Sequence, residues 1–295
     1  MPVSTTTEST WLRLIRFIAT EDGEEHLGEP VDVDIDIGLA YHDSVPILAY
    51  VLNALTPWDP LAHLTGTVLT VKTLLAPVTP QQAGTIRATG LSYKDHAAEM
   101  GLPFPSVPAL FFKPSTCLAN PGEEIPIPKW CQREEMDYEV ELAIVIGKAC
   151  KDVKEEDALN CVLGWTGAND LTARKHQTAS TQWGYSKGFD KFCPLGPCLV
   201  STRALPDPHV IDLQTTLNGQ LMQNGSARKM IFPLAKVISY LSQGTTILPG
   251  SIIITGTPPG IGDGRTPRVW LKDGDQVHCW LSNGVGTLCN KIVYE

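Results

Sequence analysis

Positive charge is scarce in this chain: 23 Lys and Arg stand against 32 Asp and Glu, a formal net charge of −9. Phosphate backbones are held by basic surfaces, so nucleic acid is excluded as a partner and any cation that matters must act locally. No stretch approaches the roughly 18 consecutive apolar residues of a membrane span, and residues 1–8 carry neither the basic nor the apolar region of a signal peptide. No membrane association and a cytoplasmic location are therefore expected. The cysteines at 117, 131, 150, 161, 193, 198, 279 and 289 include no C-x-x-C pair, which argues against a zinc ribbon or a thioredoxin-like motif and predicts buried small hydrophobes instead. A G-x-S-x-G elbow is missing, which weakens a serine-hydrolase reading. The glycine-rich Thr257-Pro258-Pro259-Gly260-Ile261-Gly262-Asp263-Gly264 loop has the wrong spacing and flanks for a Walker or Rossmann fingerprint. No internal repeat or low-complexity segment is visible.

What is present suits a soluble globular protein of one large domain or two unequal ones: 295 residues, 43% hydrophobic and 19% charged. Apolar patterning predicts strands over residues 11–18, 31–39 and 66–75 and an apolar helix over residues 45–55. Pro77 and Pro80 then punctuate the chain and mark a domain boundary. Beyond it, residues 142–146, 251–255 and 268–271 read as strands, and residues 152–163 and 232–241 as the clearest helices.

The string Asp137-Tyr138-Glu139-Val140-Glu141-Leu142-Ala143-Ile144-Val145-Ile146-Gly147 carries the most chemistry. Side chains two apart in a strand point the same way, so Glu139 and Glu141 share a face of a strand whose apolar run predicts burial. Two neighbouring buried carboxylates repel each other and lose hydration, a cost that a divalent cation removes; the alternative is an edge strand with two solvated glutamates. Asp170, after the strand-like residues 162–168, either completes a ligand set or caps a helix beginning at Leu171. Three carboxylates with open positions suit Mg²⁺ or Mn²⁺, whereas zinc prefers nitrogen or sulfur. With the ion bound, such a site stands at about −1 and repels an anionic oxo acid unless cations lie close. Lys113, Arg174 and Lys187 are the candidates, Arg174 being able to grip a carboxylate bidentately. His96 and Glu99, three apart, share one face of a helical turn, giving either an imidazole oriented as a general base or an ordinary surface pair.

Five strings recur in order: Gly90-Leu91-Ser92-Tyr93-Lys94-Asp95-His96-Ala97-Ala98-Glu99, the 137–147 string, Asn169-Asp170-Leu171-Thr172-Ala173-Arg174-Lys175-His176-Gln177, Lys187-Gly188-Phe189-Asp190, and the Thr257 loop. With this set the chain resembles the fumarylacetoacetate hydrolase superfamily, in its acylpyruvate hydrolase and oxaloacetate decarboxylase-like branch. The resemblance implies an α+β, β-rich fold: a mixed β-sheet roll as catalytic domain over residues 85–295, a small α+β domain over residues 1–80, and a homodimer. It implies that Glu139, Glu141 and Asp170 bind Mg²⁺ or Mn²⁺. His96 and Glu99 would form a dyad on a mobile lid, with Lys187 stabilising developing negative charge. Tyr93, Lys113, Arg174, Gln177 and Thr257 would face the substrate, Gln177 through contact with the dyad and Thr257 through the substrate carboxylate. The proline-studded 101–108 tract then reads as the hinge and cover of the lid.

The implied reaction is metal-dependent hydrolysis of a C–C bond in a small 2,4-dioxo acid such as an acylpyruvate. Decarboxylation of oxaloacetate or another β-keto acid, isomerisation of a dioxo acid, and cleavage of a diketone biosynthetic intermediate use the same polarisation. A non-catalytic binding protein would lack a dyad or metal residue, and all are present. Two departures bear on specificity: Lys175 stands where many members carry an acid after the arginine, and Ser251 replaces another frequent acid.

Overall fold

All seven residues of the Val140–Ile146 strand are buried, which is why this stretch is almost continuously apolar rather than alternating. The strand lies between the antiparallel strands Val162–Asn169 and Ile252–Ile254. In this computed structural model, which describes residues 10–133 and 135–295, they belong to an eleven-stranded mixed sheet. The expectation made for residues 1–8 falls outside the described residues. From Ile252–Ile254 the sheet continues through Ile86–Gly90 to Ala109–Lys113. On the other side it runs through Cys193–Ser201 to Arg13–Ala19, joined by the pairs Arg13↔Val200 and Leu14↔Leu199.

Arg13–Ala19 also pairs with Glu25–Pro30 and His63–Leu75, and Leu48–Asn53 closes the circuit between those two. Asp212–Leu217, Gln220–Ser226, Gln276–Leu281, Gly286–Tyr294 and Glu124–Ile127 make a second, five-stranded sheet. The fold is thus β-rich and mixed, with helices short and few; Leu234–Ser242 is the longest α-helix among the described residues. None is long and apolar enough to cross a membrane.

Strands form where expected within residues 11–18, 66–75, 142–146 and 251–255, and a helix within residues 232–241. Four expectations are corrected. Residues 45–55, expected as a helix, contain the strand Leu48–Asn53, set by its antiparallel pairing with Glu25–Pro30 and His63–Leu75; a register shift between Tyr50 and Leu52 breaks the period-2 alternation that would have marked it. Residues 31–39, expected as a strand, lead into the helix Ile37–His42, because Asp36 caps it by accepting from the Leu39 N–H at 3.1 Å. Residues 152–163 form a 3₁₀ segment, Glu155–Cys161, that runs directly into the Val162–Asn169 strand. Residues 268–271 form no strand: they follow Pro267, and their backbone bonds go to Gly262 and Met136 rather than to a ladder.

Candidate active site

Three segments converge at one end of the central strands. Glu139 immediately precedes the Val140–Ile146 strand and Glu141 lies within it, both buried. Asp170 follows the Val162–Asn169 strand, which pairs with it in register Val140↔Asn169. The corner is fixed by its backbone: Asp170 N–H donates to the Glu139 carbonyl at 2.8 Å, and Glu139 N–H donates to Asn169 Oδ1 at 3.0 Å. As a result, one carboxylate oxygen from each of Glu139, Glu141 and Asp170 lies within 4.8 Å of the other two.

Cations serve two of these carboxylates. Lys187 Nζ donates to Glu139 Oε2 at 2.9 Å, Asp170 Oδ2 at 2.7 Å and Thr172 Oγ1 at 2.7 Å, so all three of its protons are engaged. Lys113, fully buried, donates to Asp170 Oδ1 at 2.5 Å and to the Phe192 carbonyl at 2.8 Å. Arg174 Nη2 lies 2.6 Å from Glu139 Oε1 and 2.8 Å from Asp137 Oδ2, Nε donates to Asp137 at 2.9 Å, and Nη1 donates to Gln177 Oε1 at 3.0 Å. Burial pushes the Glu139 carboxyl up, but Lys187 and Arg174 outweigh it and hold the group at about 2. Glu141 is different. It has no ammonium or guanidinium within ion-pair distance among the described residues, and its partner is the Gly256 N–H at 2.6 Å. Burial, then repulsion from Asp170 and Glu139, raises its pKa well above the ordinary carboxylate value.

This donor set fits a hard divalent cation such as Mg²⁺ or Mn²⁺: three buried carboxylates converge, and the one without a protein cation is the one that resists ionisation. With every acid and base counted at its formal charge, the four carboxylates, Asp137 included, against Lys113, Arg174 and Lys187 give −1, which a divalent ion would turn to +1.

The dyad lies on the short helix Lys94–Glu99. His96 Nδ1 is 2.9 Å from Glu99 Oε2, and Glu99 Oε1 accepts from the Gly260 N–H at 2.8 Å, which ties the helix to the glycine-rich loop. Glycine is required there: Gly260 has φ +105°, and a Cβ would stand 2.3 Å from the Met222 carbonyl. With Nδ1 on Glu99, His96 keeps Nε2 for the cavity, where the described residues give it no other partner. That cavity, of about 550 Å³, is lined by Glu139, Glu141, Asp170, Arg174 and Lys187 and by apolar side chains that include Phe111, Trp183, Met100, Leu102 and Ile261.

The structure brings together Glu139, Glu141, Asp170, His96, Arg174, Gln177, Lys187 and Thr257 around this cavity, with Glu99 behind His96. Lys113 and Tyr93 are fully buried and do not line it. Lys113 is spent on Asp170, and the Tyr93 hydroxyl is buried without a partner among the described residues. Thr257 donates its one proton to the Val140 carbonyl at 2.8 Å, so it has none left for a substrate carboxylate. Gln177 accepts from Arg174 rather than meeting the dyad. Lys175 donates to the Arg133 carbonyl, and Ser251 is a buried turn residue whose carbonyl accepts from Ile146 N–H at 3.0 Å. Sequence reasoning missed Asp137, which orients Arg174 and accepts from Gly262 and Asp263 N–H at 2.7 and 3.0 Å. Its signal was available: Asp137, Glu139 and Glu141 form one i, i+2, i+4 series.

The chain is 45% identical over 291 residues to a caffeoylpyruvate hydrolase of Neonothopanus nambi, covering 97% of this chain and 95% of that protein. It is 41% identical over 223 residues to a mitochondrial oxaloacetate tautomerase of Homo sapiens, covering 75% of this chain and 69% of that one. Among solved structures, 5-carboxymethyl-2-hydroxymuconate delta-isomerase from Mycobacterium smegmatis superposes with a TM-score of 0.79 at 32% identity, covering 96% of this chain and all of that one. Residues 85–293 match the family model described as fumarylacetoacetate (FAA) hydrolase C-terminal, and the chain belongs to that family.

Proposed function

We propose that this chain is a divalent-metal-dependent hydrolase that cleaves the C–C bond of an acylpyruvate, a 2,4-dioxo acid. The observation that carries the reading is the seating of the His96–Glu99 dyad on the same cavity as the three-carboxylate cradle, a cavity that apolar side chains also line. The similarity to a caffeoylpyruvate hydrolase supports the substrate class. Glu139, Glu141 and Asp170 would hold the ion, which when bound supplies Lewis-acid polarisation of the 2-oxo acid end. His96 Nε2 removes a proton from water, whose oxygen attacks the distal carbonyl; Glu99 fixes the ring and stabilises the imidazolium that results. The C–C bond then breaks toward the pyruvate carbon, which takes its proton back from His96.

Lys187 and Lys113 are positioning residues in this reading, because their protons are committed to the cradle. Asp137 and Gln177 orient Arg174 beside the substrate. The Phe111 and Trp183 wall receives the acyl group. The test is product analysis with Mg²⁺ or Mn²⁺ present, an aryl acylpyruvate compared with oxaloacetate. Pyruvate plus the free acid from the first, at a rate well above any turnover of the second, is the expected result. Decarboxylation or tautomerisation of oxaloacetate with no acylpyruvate cleavage overturns the reading.

A further inference from the structure

His42, His278 and Cys289 take no part in the proposed reaction, and the elements that carry them hold no active-site residue. His278 and Cys289 stand directly opposite each other on the antiparallel strands Gln276–Leu281 and Gly286–Tyr294. Their side chains therefore leave one face of the second sheet, with Cβ atoms about 5 Å apart. His42 ends the Ile37–His42 helix, and its ring meets that of His278 edge-on with centroids 4.8 Å apart. One ligand atom from each of the three residues lies within 4.8 Å of the other two.

The polar groups of this cluster are poorly served by the protein. His278 Nε2 is buried and has no hydrogen-bond partner among the described residues, a costly condition that calls for an explanation. Cys289 is buried, and its thiol makes a long 3.8 Å contact to the Thr287 carbonyl. His42 is exposed, leaving an entry path from solvent. The helix bearing His42 is held independently: Asp36, its N-cap, accepts from the Thr287 N–H at 2.9 Å and the Thr287 hydroxyl at 2.6 Å. The three side chains thus stand near one another before any ion arrives, so binding has only to draw them together.

We infer that His42, His278 and Cys289 form a second cation site, for a borderline transition-metal ion with zinc foremost, that ties the N-terminal helix to the C-terminal strands. Two imidazole nitrogens and a thiolate suit Zn²⁺ or Co²⁺ and not Mg²⁺, the reverse of the all-oxygen cradle in the active site. Tetrahedral zinc at its usual bond lengths sets such ligand atoms about 3.3–3.6 Å apart, so binding draws together three side chains whose ligand atoms already lie within 4.8 Å of one another. The Cys289 thiol gives up its proton to solvent on coordination, and no electron is transferred. Water takes the fourth position.

The test uses the full chain, freed of metal by chelator and titrated with Co²⁺ alone. One equivalent producing a thiolate-to-cobalt charge-transfer absorption, lost on addition of one equivalent of Zn²⁺, is expected; cobalt in the oxygen-ligand cradle gives no such band. The band must vanish in Cys289→Ala and persist in Cys131→Ala, which removes a different buried thiol. His42→Ala, at an exposed position, keeps the test decisive if Cys289→Ala fails to fold. It should weaken Co²⁺ at least tenfold and abolish the rise in melting temperature that Zn²⁺ gives the wild type, with Mg²⁺-supported turnover and metal-free melting unchanged. Absence of the band in the wild type, or its survival in Cys289→Ala or undiminished in His42→Ala, overturns the inference.

Discussion

Replacing Glu141 by glutamine separates the ion's contribution from that of the protein's own cations. Without metal, Glu141 is the carboxylate whose pKa burial and its neighbours Asp170 and Glu139 raise well above the ordinary value. Between that ordinary value and the raised one, the native state binds a proton that the unfolded chain has lost, so stability falls as pH rises. The slope is about 1.4 kcal/mol per pH unit for one proton. Glu139 does not confuse this window. Its pKa is held at about 2, so it contributes stability at pH above about 4.5 that is lost as pH falls toward 2. Urea denaturation in chelator at half-unit steps from pH 5 upward should therefore show wild type losing stability relative to Glu141→Gln by up to about 1.4 kcal/mol per unit. Mg²⁺ at 100 times its dissociation constant should add about 2.7 kcal/mol to the wild type only. Its affinity should rise with pH, because the Glu141 proton must leave. Superimposable pH profiles for the two proteins, or equal stabilisation of both by Mg²⁺, would refute this account of the cradle.

His96→Ala should cost acylpyruvate hydrolysis about 10²- to 10⁴-fold; any oxaloacetate decarboxylation should fall much less, since it needs no attacking water, and initial-rate assays on both substrates decide the matter. Lys113→Met strips a buried partner from Asp170 and should destabilise the metal-free protein by about 3 kcal/mol or more; a loss under about 1 kcal/mol in urea titration would mean that Lys187 alone carries the Asp170 charge. Reductant should leave the melting temperature unchanged, because all eight cysteines are free; a drop on mild reduction would contradict this. Sedimentation at micromolar concentration should show a dimer, and a clean monomer would remove that expectation.

The cradle was legible where a local rule decides geometry. Alternation along a strand placed Glu139 and Glu141 on one face, and three-residue spacing on a helix put His96 beside Glu99. What spacing cannot disclose is how donors are spent. Lys113, Lys187 and Thr257 each looked available to a substrate, yet their protons go to Asp170, to Glu139 and to the Val140 carbonyl, contacts made across the sequence. The same alternation reaches Asp137, but spacing alone does not disclose that it serves Arg174. In the N-terminal region, composition misled in two opposite ways. Residues 45–55 are so uniformly apolar that neither period stands out, and the strand within them is set by its ladder partners. Near residue 36 a single capping aspartate decided for a helix against a β-branched run.

His96 and its orienting carboxylate occupy one six-residue helix, whereas every carboxylate of the cation cradle comes from strand ends elsewhere in the chain. Glu99 is tied to the glycine-rich loop through the backbone N–H of Gly260, which donates to its Oε1, at a position whose positive φ and close Met222 carbonyl require glycine. The two halves of the proposed chemistry are therefore carried by separate segments of the chain. In the proposed reaction, exchange of the short segment that bears His96 and Glu99 would change which proton moves while leaving the three carboxylates in place.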